Sequence, residues 1–240
     1  MRADRLACYL AGGIPAGASH CYPGCRDPRP PRAARGCALP GGIYFATRSL
    51  VWGGGRAFYD PGLPGVAAAR AYLITESQFA DVAAQEMGRQ PGADLVLHGV
   101  LAAGRARLGP GRYETILYLG DHDGYPMLTF TAPWTAAEVD HIAPAAAYLR
   151  MLAAGLREAH GWDAHRVAGY LAGLPGCAGA WTEAAILAVR WDMMTFTAAA
   201  TGIAMIAPMR PRTAPPINAA SNAATADKST VLRITRGAIR

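Results

Sequence analysis

The chain has 240 residues, 52% of them hydrophobic, enough for one domain with a substantial core and an appendage. Its formal charge of +6 is concentrated after Met209, where Arg210, Arg212, Lys228, Arg233, Arg236 and Arg240 are opposed only by Asp227. The body is left near neutral, which excludes an electrostatic footprint for nucleic-acid backbones. Five cysteines, an odd number with no secretory signal ahead of them, predict reduced thiols and a cytoplasmic location.

In chain order, residues 2–11 carry Leu6, Tyr9 and Leu10 at helical spacing, predicting a short amphipathic helix. From Ile14 to Arg35 proline interrupts any regular pattern, and Arg26, Arg29, Arg32 and Arg35 read as part of a solvated loop. Cys21 and Cys25 have a spacing that can open a zinc site, but no second pair follows, so both read as structural thiols.

Strand signals then follow closely. Gly42–Thr47 is aromatic and β-branched, Arg56–Tyr59 follows three glycines, and Val66–Ile74 ends in alternation. Tyr113–Leu119 and Met127–Thr131 predict a hairpin around Asp121, His122, Asp123 and Gly124. Short strands with irregular loops point to an α+β fold, a small mixed or antiparallel barrel with flanking helices. Pro144 suits the first turn of a helix carrying Tyr148, Leu149, Leu152 and Leu156 on one face. Asp163 is placed to cap the next, with Val167, Tyr170, Leu171 and Leu174 inward. Beyond Ala188 the composition changes, so residues 1–188 read as the domain and 189–240 as a loosely ordered extension. The uncharged run Met193–Met209 is at the short edge for a membrane span, and no membrane anchor is expected.

One segment carries chemistry. Thr75 and Gln78 have the spacing of a capping box, so a helix should start at Glu76. Within it Phe79, Val82, Ala83 and Glu86 form one stripe, which turns Glu86 toward the core while Asp81 lies on the opposite face. An inward carboxylate is costly unless paired or protonated, and desolvation moves it toward the condition wanted in a general acid or base. Snorkelling to water, or pairing with a loop arginine, is the competing structural explanation.

Three blocks now resemble the γ-glutamylcyclotransferase superfamily, most closely its actinobacterial type. Phe45–Ala57 (FATRSLVWGGGRA) is similar to its F-x-x-x-S-x-x-W-x-G-G-x-A segment. Ala71–Glu86 (AYLITESQFADVAAQE) resembles its strand–helix unit ending in the catalytic glutamate, and Ala143–Trp162 its late helix, with Ala145 where serine is usual. Tyr22–Pro31 (YPGCRDPRPP) matches the actinobacterial relatives. The resemblance implies release of 5-oxoproline from a small γ-glutamyl amine or peptide, without a cofactor, with Glu86 as general base and Tyr148 at the substrate pocket. It also implies that Met1 is the last residue of a Tyr-Gly-Ser-Asn-Met motif, whose first strand and substrate loop are expected to be missing here. An open edge in the barrel and loss of activity would follow.

Two other readings are set against this one. A non-catalytic binding module on the same scaffold needs no loop. A zinc-dependent (histone) deacetylase would use an Asp-x-His pair with a distant Asp, and Asp121-His122-Asp123-Gly124 has different spacing in a hairpin turn. Gly-x-Ser-x-Gly is absent, so no serine-hydrolase elbow is readable.

Overall fold

A computed structural model describes residues 2–15 and 20–189, and the backbone of 229–233. Helix α1 (Ala3–Ala11) is followed by β1 (Ala33–Pro40), β2 (Gly42–Arg48), β3 (Gly55–Asp60) and β4 (Val66–Thr75). Then come α2 (Glu76–Glu86), α3 (His98–Ala103), β5 (Arg105–Arg107), β6 (Thr115–His122) and β7 (Tyr125–Thr131). Helices α4 (Ala146–His160), α5 (Ala164–Ala172) and α6 (Glu183–Ala188) precede β8 (Ser229–Arg233).

The main sheet has six strands in the order β1-β4-β8-β7-β6-β5, and β2 and β3 form a separate ribbon. All neighbours are antiparallel except β7 and β8. The class is α+β. The expected barrel is not closed among the described residues, because β1 and β5 remain edges and the ribbon is not hydrogen-bonded into the ladder. Gly41, with φ 101°, turns the chain between β1 and β2, and the ribbon lies over the sheet instead of extending it. Side-chain bonds hold it there, as where the Thr131 hydroxyl donates to the Tyr59 carbonyl at 2.6 Å.

Alternation explains why strands so apolar can be stable. Tyr44, Phe58, Tyr72, Ile74, Ile116, Leu128 and Phe130 face one core with Leu6, Tyr9, Phe79 and Val82 of α1 and α2. Their neighbours Ile43, Phe45, Tyr59, Ala69, Ala71, Leu117 and Met127 face a second core with Tyr148, Leu149, Val167 and Leu171 of α4 and α5. Successive side chains point to opposite faces, so helices on both sides bury both sets. The alanines of β4 and Gly36 of β1 let α4 approach closely, and a Cβ on Gly36 would overlap the Ala159 carbonyl.

The capping box is present: Thr75 N–H donates to Gln78 Oε1 at 3.0 Å and Gln78 N–H to Thr75 Oγ1 at 3.2 Å. Asp163 caps α5 through Arg166 N–H at 2.8 Å. The hairpin turn falls at Asp123 and Gly124, both at positive φ, which suits the twist of the two strands. Three placements differ from expectation. Pro144 precedes the N-cap Ala145 and so lies outside α4. Arg35 belongs to β1, where it pairs with Asp123, and is not part of a loop. Asp81 is not on a solvent face, since the 23–31 loop covers it.

The sheet is open, with β1 and β5 at its edges and β8 within it. β4 and β7 do not meet; β8 lies between them and pairs with both. Of the extension, Ser229–Arg233 is a central strand, and the remainder after Val189, including Met193–Met209, lies outside the described residues. Among the described residues no helix is long and apolar enough to cross a membrane.

Candidate functional site

Glu86 is the last residue of α2, half-buried, on the wall of a polar cavity of about 380 Å³. Three parts of the chain converge there. Helix α1 supplies Tyr9, the following loop supplies His20 and Tyr22, and the segment before β6 supplies Arg112, Tyr113 and Glu114. Arg56 of β3 and Trp134, just after β7, complete the wall.

The carboxylate is held through phenols. Tyr9 O–H donates to Glu86 Oε1, and the Tyr9 and Tyr22 hydroxyls lie 2.9 Å apart, their rings packed at 4.0 Å. Arg5, only 5% exposed, donates to Tyr22 Oη at 3.2 Å and to Tyr9 Oη at 3.5 Å. Tyr9 has one phenolic proton and cannot serve both Tyr22 and Glu86. The carboxylate is the stronger acceptor, so that proton goes to Glu86 and Tyr22 donates to Tyr9. A buried guanidinium thus stands behind the carboxylate, linked to it by two hydroxyls. In this network Glu86 meets Tyr9 directly and Arg5 of α1 through the phenols.

Neighbouring groups keep the site rigid. Gln85 Nε2 donates to the Tyr9 carbonyl at 3.0 Å, tying α2 to α1. Gln78 Nε2 donates to the carbonyls of Asp27 and Arg29, at 3.1 and 2.8 Å, and pins the proline-rich loop onto α2. Asp81, 0% exposed, accepts from Arg26 N–H at 2.8 Å, from Arg26 Nε at 3.0 Å and from Gly92 N–H at 3.0 Å. Glu114 pairs with Arg89 and accepts from Gly111 N–H at 2.6 Å, which shapes the loop that carries Arg112.

Tyr148 does not line the cavity that holds Glu86. It is 1% exposed in the α4–α5 core, packs on Trp52 at 5.6 Å, and accepts from Ala57 N–H at 3.3 Å. Burial holds its phenol protonated, well above the ordinary range. Its hydroxyl fixes β3 next to Arg56 and does not line the cavity with Glu86. The reason is the stripe on α4, which turns Tyr148 together with Leu149 into the core.

The other candidates have structural partners. Cys25 Sγ lies 3.3 Å from the Tyr9 carbonyl, and burial first, then the Asp81 charge, push its thiol up to about 12. Cys21 is exposed. Asp121 accepts from Tyr118 O–H at 2.7 Å, Asp123 from Arg35 at 2.7 Å, and His122 is 3.9 Å from Asp123 in the turn. Among the described residues no three His, Cys, Asp or Glu side chains are grouped to hold a metal ion.

The chain matches no protein family, no curated protein and no solved structure. The resemblance to the γ-glutamylcyclotransferases therefore rests on the sequence blocks and their order alone.

Of the site, only Glu86 was readable from spacing. Arg5, Tyr9, Tyr22, Arg56, Arg112 and Trp134 carried no motif. Tyr9 gave half a signal, as an inward residue of an amphipathic helix, and Arg5 stands one turn before it.

Proposed function

We propose that the protein is a γ-glutamylcyclotransferase-like enzyme with Glu86 as its general base. The observation that supports this is the Glu86 carboxylate on the wall of a polar cavity, positioned by Tyr9 at the end of the strand–helix unit that resembles the family's catalytic segment. On this reading the substrate's α-amine gives a proton to Glu86 and its nitrogen attacks the γ-carbonyl carbon. A C–N bond forms, closing 5-oxoproline. The bond from the carbonyl carbon to the departing nitrogen breaks, and the proton passes from Glu86 to that leaving amine. Both reacting groups are in one molecule, so the site need only hold a folded conformer, a large entropic saving. Tyr9 keeps the carboxylate oriented, and Arg5 balances its charge when the proton has left. The small mixed barrel of that family is part of the same proposal.

The test is release of 5-oxoproline from γ-glutamyl amino acids and γ-glutamyl amines. Glu86→Gln keeps the shape and removes the base, and should lower turnover by roughly 10²-fold or more. Full activity in Glu86→Gln would remove Glu86 from the reaction. Binding of these compounds with no turnover by the unaltered chain would favour a binding module on the same scaffold.

A further inference from the structure

A second phenol stands behind the one that holds Glu86, and the backbone places it there. Gly12 and Gly13, at φ 82° and 116°, carry the chain out of α1 in a conformation that other residues rarely adopt. Gly13 N–H then donates to the Tyr22 carbonyl at 3.0 Å, and Tyr22 N–H to the Gly13 carbonyl at 2.8 Å. Cys25 N–H adds a bond to the Leu10 carbonyl at 2.8 Å, so the 20–25 loop is laid along the end of α1. Tyr22, 4% exposed, is thereby pressed onto Tyr9 with the hydroxyls side by side.

Those hydroxyls form a chain with one direction. A guanidinium can only donate, and Arg5 Nη2 lies 3.2 Å from Tyr22 Oη and 3.5 Å from Tyr9 Oη. Burial works against the Arg5 charge, but the Tyr9 and Tyr22 phenols outweigh it and hold the guanidinium above its ordinary range. Tyr22 Oη accepts from Arg5, and its own proton goes to Tyr9 Oη, 2.9 Å away. Tyr9 in turn gives its proton to Glu86. Each donor in such a chain is strengthened by the one behind it, and a bond donated to an ionised carboxyl favours the ionised form. Without the Tyr22 hydroxyl, Tyr9 loses the donor that polarises it, and the 3.5 Å contact to Arg5 is what remains of the chain behind it.

We propose that Tyr22 is a positioning residue for the base: its hydroxyl, backed by Arg5, commits the Tyr9 proton to Glu86 and weakens the hold of Glu86 on a proton of its own. This rests on the reading of Glu86 as general base. Such a base must return the proton to the leaving amine within the same turnover, and a carboxylate favoured in its ionised form returns it readily. Other ionisable groups share the cavity wall with Glu86: His20 beside Tyr22, Arg56 of β3, and Arg112, Tyr113 and Glu114 ahead of β6. Tyr22→Phe keeps all of them, together with the ring that meets His20 edge-on at 4.9 Å.

The test reads the proton on Glu86 directly. The full chain, with carbon-13 in its glutamate carboxyl groups, is titrated by NMR, and the Glu86 signal is identified by its loss in Glu86→Gln. In Tyr22→Phe the Glu86 midpoint should rise by about half a pH unit or more, a roughly threefold tighter hold on the proton, as loss of one buried hydrogen bond predicts. Arg5→Met should raise it further, and Arg5→Lys, which keeps a charge, should fall between Arg5→Met and the parent. If buried Arg5 does not tolerate replacement, Tyr22→Phe decides alone. Tyr170→Phe removes a phenol that accepts from Ala68 N–H at 3.0 Å on the other side of the sheet, and should leave the midpoint unchanged. A Tyr22→Phe midpoint equal to or below the parent's overturns the proposal, and so does an equal rise in Tyr170→Phe. In the kinetic arm, activity is lost as pH falls through the Glu86 midpoint, so the acidic limb of kcat/KM for 5-oxoproline release should move up by the same amount in Tyr22→Phe. An unmoved limb beside a raised midpoint overturns the role of Tyr22 in the reaction. A raised midpoint in a chain that releases no 5-oxoproline leaves the action of Tyr22 on Glu86 standing and removes the cyclotransferase reading.

Discussion

Replacing Asp81 with Ala tests whether the proline-rich loop is clamped onto α2 as the structure describes. The carboxylate is 0% exposed and takes two backbone N–H groups, from Arg26 and Gly92, together with Arg26 Nε. A hydrogen bond to a charged group contributes about 1.5–3 kcal/mol, and the two backbone donors lose their acceptor outright. The Arg26 side chain is 38% exposed, so its guanidinium is rehydrated and that share of the loss is small. The total comes to about 3–5 kcal/mol, within the range for breaking a buried charged interaction. For a folded unit of this size that lowers Tm by roughly 10 °C. Arg26→Ala should cost about 1 kcal/mol or less, because its backbone N–H still donates and only a half-exposed ion pair is lost. Thermal and urea unfolding of the two variants measure both. A Tm for Asp81→Ala within about 2 °C of the parent, or equal losses in the two variants, would refute the assignment of Asp81 as the clamp.

The buried thiols make stability fall at alkaline pH. Cys25, mainly through burial and then Asp81, and Cys177, through burial, are each raised from 9.0 to about 12. Between those values the folded chain keeps protons that the unfolded chain releases, so stability is full below pH 9 and declines as pH rises toward 12. Tm measured across that window should drop less in a Cys25→Ala/Cys177→Ala variant, and an identical slope would count against it. Ending the chain at residue 228 removes β8 and leaves β4 and β7 with unpaired facing edges. Light scattering should then show self-association together with a lower Tm; a monomeric truncated chain with unchanged melting would mean that β8 does not hold the sheet.

Local signals were legible where residues near in sequence decide the outcome. The Thr75–Gln78 box, the Asp163 cap, the 123–124 turn and the Phe79–Val82–Glu86 stripe all follow from spacing over a few residues. Strand β1 was not legible, because its outer half is exposed and holds Arg35 and Gly36 where an apolar alternation was sought. Asp81 was misread for the opposite reason: the helical stripe is correct, but a loop about 55 positions away covers the other face and turns a solvent carboxylate into a buried clamp.

The sequence by itself determined the α+β alternation, the start of the helix that carries Glu86, and the direction in which that side chain points. These depend on backbone periodicity and on caps within one turn. Only the tertiary structure decided what Glu86 meets. Tyr9 lies 77 residues away and Arg5 acts through it, while Arg56, Arg112 and Trp134 come from three further elements. The same holds for β8, which enters the sheet from the end of the chain to pair with strands formed long before it. Such neighbours are chosen by packing and by the need to satisfy buried polar groups, and neither leaves a period in the sequence.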